Sequence, residues 1–138
     1  MLDIKTTLRL TPFLKGANRI PYEKIARAIL GDSYELSLVI CGDTLAQRMN
    51  KEYRKKTYKP NVLSFPIATH EGEIFLNART AAREARTRGL STRTWTACLF
   101  VHGCFHLKGL RHGRIMERQE ERTARAFGFL CNEQSTRE

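Results

Sequence analysis

Apolar and polar positions alternate along the first stretch of the chain, LDIKTTLRL. Leu2, Ile4, Leu8 and Leu10 are set among polar residues, a period that predicts a strand. The period then lengthens. Pro21 is placed to open a helix that buries Ile25 and Ile29 and stops at Gly31. YELSLVICG predicts a second strand, after which Asp43 can cap a helix with an inner stripe of Leu45, Met49 and Tyr53, at i, i+4 and i+8. NVLSFPIA and GEIFLN predict two strands joined by the turn THEG. Asn77 is placed to cap an alanine-rich helix that ends near Gly89.

Ser91 or Thr92 opens the next helix, and its middle, ACLFVHGCFHL, is apolar almost all round. A helix without a polar face is a central, buried one. Gly109 is placed to end it. After His112 a last helix runs to about Gly128, with a polar tail from about residue 129. Strands and helices are mixed in order, without repeats or linkers, so the expected class is α+β. Residues 1–138 should form a single domain, a small mixed sheet packed with helices around the central buried one.

Charge narrows the partners. Among 138 residues, 24 lysines and arginines stand against 14 acids, a net charge of +10. Such an excess favours a polyanion, meaning nucleic acid or an anionic membrane. The N-terminus MLDIKTTLRL carries Asp3, Lys5 and Arg9 and lacks the apolar core of a signal peptide. No run approaches the ~20 apolar residues of a membrane span. Cys41, Cys98, Cys104 and Cys131 have no paired CxxC spacing and sit in apolar surroundings, which predicts free thiols in a reducing compartment. The expectation is a soluble, cytoplasmic protein.

Three of the four histidines fall in VHGCFHLKGLRHG. His102 and His106, four apart on a helix, point the same way and continue the face of Trp95 and Leu99. Two buried neutral imidazoles need partners for their polar nitrogens, and one shared metal ion satisfies both. The turn at Gly109 lets His112 supply a third ligand. Imidazole is a preferred zinc ligand, and three protein ligands with an open fourth position mark a catalytic site, so one zinc ion (Zn2+) per chain is expected. Cys104 lies ~200° around the helix from His102 and faces away. His70 belongs to a turn and is expected at the surface. The spacing is similar to the HExxHxxGxxH of metzincin zinc peptidases, whose glutamate is the general base; here that position is Gly103, which argues against peptide hydrolysis.

The run His102-Gly103-Cys104-Phe105-His106-Leu107-Lys108-Gly109-Leu110-Arg111-His112 resembles the HGxLHLxGYDH signature of the YbeY family of zinc-dependent endoribonucleases. MNKEYR and KPNVLSFP resemble that family's LNxxYR and TDVLSFP block, and Gly72-Glu73-Ile74 its GDI strand. Met116 and Glu120 match an M…E pair in its last helix. The resemblance runs from about residue 36 to 128. The chain departs from the pattern at Leu110-Arg111, where Tyr-Asp is usual, and at Asn61, where Asp is usual; the link from His112 to the last helix is also shorter. The resemblance implies a cytoplasmic single-strand endoribonuclease. Its implied work is ribosomal RNA maturation, at the small-subunit 3′ end, and ribosome quality control. It further implies that the ribosome or its proteins are partners, and that Arg54, the arginine of LNxxYR, is catalytic, since its fork suits phosphate oxygens.

The charges themselves form two groups that could bind RNA phosphates. Lys51, Lys55, Lys56 and Lys59 cluster around Arg54, and Arg79, Arg83 and Arg86 make a stripe on one helix face. In the last helix Glu117 and Glu121 can pair with Arg114, Arg118, Arg122 and Arg125, which predicts a salt-bridged, solvated face. Tyr53, Tyr58, Phe65 and Phe75 lie near the basic segments, with core packing expected for the phenylalanines. Beside the endoribonuclease stand two other readings: a non-enzymatic RNA- or ribosome-binding module with a structural metal, and a zinc peptidase.

Overall fold

The alternating stretches pair into one four-stranded sheet in the computed structural model, which describes residues 2–8, 13, 14 and 16–132. β1 (Leu2–Thr6), β2 (Glu35–Cys41) and β4 (Glu71–Asn77) are parallel, and β3 (Val62–Ala68) lies antiparallel to β4 at the edge. The strand order is β1-β2-β4-β3, a mixed sheet as the element order predicts. Leu10, assigned to the first strand on pattern, lies outside the described residues.

Both faces of the sheet are covered, which is why β2 reads as an almost unbroken apolar run. Leu36, Leu38, Ile40, Ile74 and Leu76 face one core, and Val39, Cys41, Leu63 and Phe75 face another. Register aligns each set: Leu38 stands beside Ile74, and Val39 and Leu63 flank Phe75. The larger core receives α1 (Tyr22–Leu30), α3 (Ala78–Arg88), α4 (Thr92–Leu107) and α5 (Arg114–Ala126); α2 (Asp43–Arg54) covers the smaller.

α4 is the central buried helix the pattern predicts. Ser91 caps it, its hydroxyl accepting from the Thr94 amide at 3.0 Å. Phe100 is fully buried and meets Tyr22 edge-on at 4.9 Å. At Gly103 the helix touches the sheet backbone-close. A Cβ there would sit 3.1 Å from Ser64 Oγ, 3.2 Å from Val62 Cγ2 and 3.3 Å from Ile74 Cδ1. The Ser64 hydroxyl uses this proximity to donate to the Gly103 carbonyl at 2.9 Å.

Four expectations are corrected. Asp43 does not cap α2; Gly42 occupies that position, and Asp43 is the first helical residue. Its carboxylate instead accepts from Asn77 Nδ2 (2.9 Å), Thr80 Oγ1 (3.0 Å) and Arg83 Nη2 (2.8 Å), pinning the start of α2 to the start of α3. Tyr53 leaves the inner stripe and is 64% exposed. Steps of four residues drift by ~40° each, so by Tyr53 the stripe has rotated off the sheet, and Ala46 and Asn50 are the buried positions. Cys98 and Cys131 are not free thiols but a disulfide, with Cα atoms 5.9 Å apart; Cys41 and Cys104 are free and buried as expected. The polar tail does not begin at 129. Phe129 is 1% exposed, and its burial against α4 is what carries Cys131 to Cys98.

The Arg83 guanidinium beside Asp43, with the donors of Asn77 and Thr80, holds the Asp43 carboxyl well below the usual carboxylate range. The unfolded chain therefore binds this proton more readily, and stability rises with pH. The contribution is complete above the unfolded carboxyl value of ~4 and is lost as pH falls toward the folded one. Denaturant titrations at pH 7 and pH 3 should show a smaller acid loss of stability in Asp43→Asn than in the parent.

Candidate metal centre

α4 carries His102 and His106 one turn apart, at the edge where the helix emerges from the core. The helix ends at Leu107, and Gly109, at φ +100, takes the left-handed turn that closes it. The Leu110 amide bonds back to the Phe105 carbonyl at 3.2 Å, and the chain returns along the helix end. His112 is thereby brought to the other two, with ring centroids 5.0 Å from His102 and 4.6 Å from His106. One ring nitrogen from each histidine lies within 4.8 Å of the others, and Nε2 of His102 and His106 are 3.0 Å apart. Among the described residues this is the one grouping of three such side chains able to hold a metal.

The chemistry of the donors fits an ion. Both oxygens of Glu120, on α5, lie 3.1 Å from His102 Nδ1. A carboxylate only accepts, so Nδ1 carries the proton and the Nε2 lone pair faces His106. This is the outer partner that ligating histidines need to hold their tautomer and raise their basicity. Burial, the neighbouring rings of His102 and His112, and the charge of Arg54 push the His106 imidazole below its ordinary value. The group is kept neutral, as a ligand must be. His102 and His106 are half-buried and His112 is exposed, which leaves one side of the trio open. Cys104 is fully buried, and its thiol is pushed above the usual range by that burial, so it is no ligand. His70 is exposed, as expected of a turn.

The basic residues separate into two places. Arg54 ends α2, exposed, with its charge close enough to disfavour protonation of His106. Lys51, Lys55, Lys56 and Lys59 surround it and are exposed. Arg79, Arg83 and Arg86 belong to α3 and are also exposed. Arg83 is engaged by Asp43 at 2.8 Å, and Arg79 leans on Gly42. Both therefore sit at the start of α2, the far end of a helix ~17 Å long from Arg54. On α5 the Glu121–Arg125 pair forms at 3.3 Å, but the Glu117 carboxylate makes no hydrogen bond or ion pair among the described residues.

Sequence reasoning matched Glu120 to a motif without seeing its role. Nothing in a linear reading says which imidazole a glutamate on another helix will face. It also missed Glu84, which accepts from Asn61 Nδ2 at 3.0 Å and from Trp95 Nε1 at 2.9 Å. An aspartate at 61 would set a second carboxylate against Glu84, and the amide removes that repulsion. Glu120→Gln should weaken metal binding by roughly 10–100-fold without unfolding the chain, measured by competition with a chromogenic chelator.

The family profile described as Endoribonuclease YbeY matches residues 11–128. A relative from Geobacter metallireducens, named Endoribonuclease YbeY, is 37% identical over 124 residues, covering 80% of this chain and 83% of its own. One of the same name from Syntrophotalea carbinolica is 35% identical over 128 residues, covering 80% and 85%. The fold is similar to a solution structure of a Thermotoga maritima protein, with a TM-score of 0.66 at 18% identity over 92% of this chain and 89% of that one. A profile match across most of the chain, relatives of this identity and a three-histidine cradle in the matched region agree: the chain belongs to the YbeY endoribonuclease family.

Proposed function

We propose that this protein is a zinc-dependent endoribonuclease of single-stranded RNA. Its site of action is cytoplasmic ribosomal RNA maturation, at the small-subunit 3′ end, and ribosome quality control. The observation that carries the reading is the trio of His102, His106 and His112, with Glu120 holding His102 and the Arg54 charge acting on His106, in a chain of an endoribonuclease family.

Bound by the three imidazoles, zinc would lower the pKa of a water toward ~7 and polarise a phosphoryl oxygen. The remaining work belongs to the chain. Glu120 holds His102 in one tautomer through both carboxylate oxygens. Arg54 is the cation nearest in role to the reacting phosphate, since its guanidinium can meet two oxygens of a transition state that gains charge. Lys51, Lys55, Lys56 and Lys59 draw the RNA backbone to this end of α2. Tyr53, 64% exposed and set edge-on to Phe65 at 5.6 Å, and Tyr58, 54% exposed, offer ring faces among these lysines.

A peptidase reading is poorly supported. The position of the missing glutamate is Gly103, whose Cβ direction points into Ser64, Val62 and Ile74 and away from solvent. A non-enzymatic module would use the same surface but cut nothing.

Elemental analysis should find about one zinc per chain, and His106→Ala should lose most of it. Chelation should abolish cleavage of single-stranded RNA; cleavage that survives metal removal would sink the proposal. Arg54→Ala should keep its metal and its fold, bind RNA nearly as the parent does, and cut on the order of 10²–10³-fold more slowly. Arg54→Lys should recover only part of that rate. Affinity for RNA should fall steeply with salt, read by fluorescence anisotropy across a salt series.

A further inference from the structure

A cavity of about 330 Å³ opens beside the histidine trio, between α4, α5 and the end of α3. His102 belongs to both its wall and the metal cradle. A nucleotide whose base enters this cavity would therefore have its phosphate within one sugar's reach of the cradle. Its apolar lining is the Trp95 indole, Leu99, Val101 and the Cys98–Cys131 disulfide. Trp95 is fixed in plane by its bond to Glu84 at 2.9 Å. The Arg88 guanidinium lies over the same ring, 4.0 Å from its centroid, and makes no hydrogen bond or ion pair among the described residues. Indole and guanidinium planes are the surfaces on which unstacked RNA bases rest.

The rim has the wrong charge for a phosphate. Three glutamates, Glu117, Glu120 and Glu121, line the cavity with one arginine. Carboxylates accept hydrogen bonds and cannot donate them, so they select an edge rich in N–H groups. Glu120 is taken by His102 and Glu121 by Arg125. Glu117 has both oxygens free of partners among the described residues. A bidentate carboxylate matches two adjacent N–H donors, which guanine presents on its Watson–Crick edge at N1 and N2. Uracil presents one N–H between two carbonyls, which a carboxylate repels.

We propose that this cavity is a base-specificity site, holding an unstacked guanine of the bound RNA against the stacked Arg88–Trp95 pair, with Glu117 reading its Watson–Crick edge. The inference rests on the endoribonuclease reading for the source of the base, but not for its test. Trp95 is the only tryptophan of the chain, so its fluorescence reports the cavity directly. Titrating the metal-loaded protein with guanosine 5′-monophosphate should quench that emission at concentrations roughly tenfold lower than uridine 5′-monophosphate requires. Glu117→Gln, at an exposed position outside the cradle, should keep the fold and the metal and abolish the difference. In cleavage of an RNA pool, the parent should favour guanine next to the cut and Glu117→Gln should not. Equal quenching by the two nucleotides, no quenching by either, or a guanine preference that survives Glu117→Gln would overturn the inference. A protein that binds guanosine monophosphate selectively yet cuts no RNA would keep the cavity and discard the nuclease.

Discussion

The close approach of α4 to the sheet at Gly103 is the constraint on which the rest of the structure depends. Ser64 bonds to the Gly103 carbonyl at 2.9 Å, and Val62 and Ile74 fill the space a side chain would need. With this contact made, α4 lies low on β3 and β4 and is walled in by α1, α3 and α5. An apolar helix tolerates that burial on every side. The histidines at its C-terminal edge do not, because each has two polar nitrogens that must find partners.

The surroundings answer that demand in sequence order. Gly109 turns the chain so that His112 faces the pair, and α5 returns across α4 with Glu120 against His102. Met116 and Ala124, both 1% exposed, anchor α5 in the core on either side of Glu120. The carboxylate is thus held by packing on a rigid element, which fixes its geometry against His102. Further along the same face of α4, Glu84 does similar work for Trp95 and Asn61. The two glutamates bracket the exposed edge of α4, and neither is left unpaired.

Charge is distributed along α2 rather than spread evenly. Its first turn is tied into α3 by the Asp43, Asn77, Thr80 and Arg83 network, which uses an arginine for structure. Its last turn and the segment beyond it leave Arg54 and four lysines exposed. A net charge of +10 thus says less about binding than the fact that Arg54, at the free end of α2, acts on His106 through its charge.

What the sequence by itself determined is local. Period-two and period-3.6 patterns located the sheet strands and helices, Asn77 and Ser91 marked helix starts, and the HxxxH spacing with Gly109 marked the trio, because each depends on residues within a few positions of one another. Tertiary structure decided everything that joins distant positions. Asp43 became a clamp instead of a cap because Asn77 and Arg83 arrive beside it, and Tyr53 turned outward because the drift of the helix put Ala46 and Asn50 on the sheet. Cys98 found Cys131 because Phe129 docks against α4, and Glu120 found His102 because α5 folds back over it. A pattern along the chain records which side of an element is buried; which group waits there is set only when another element packs against it.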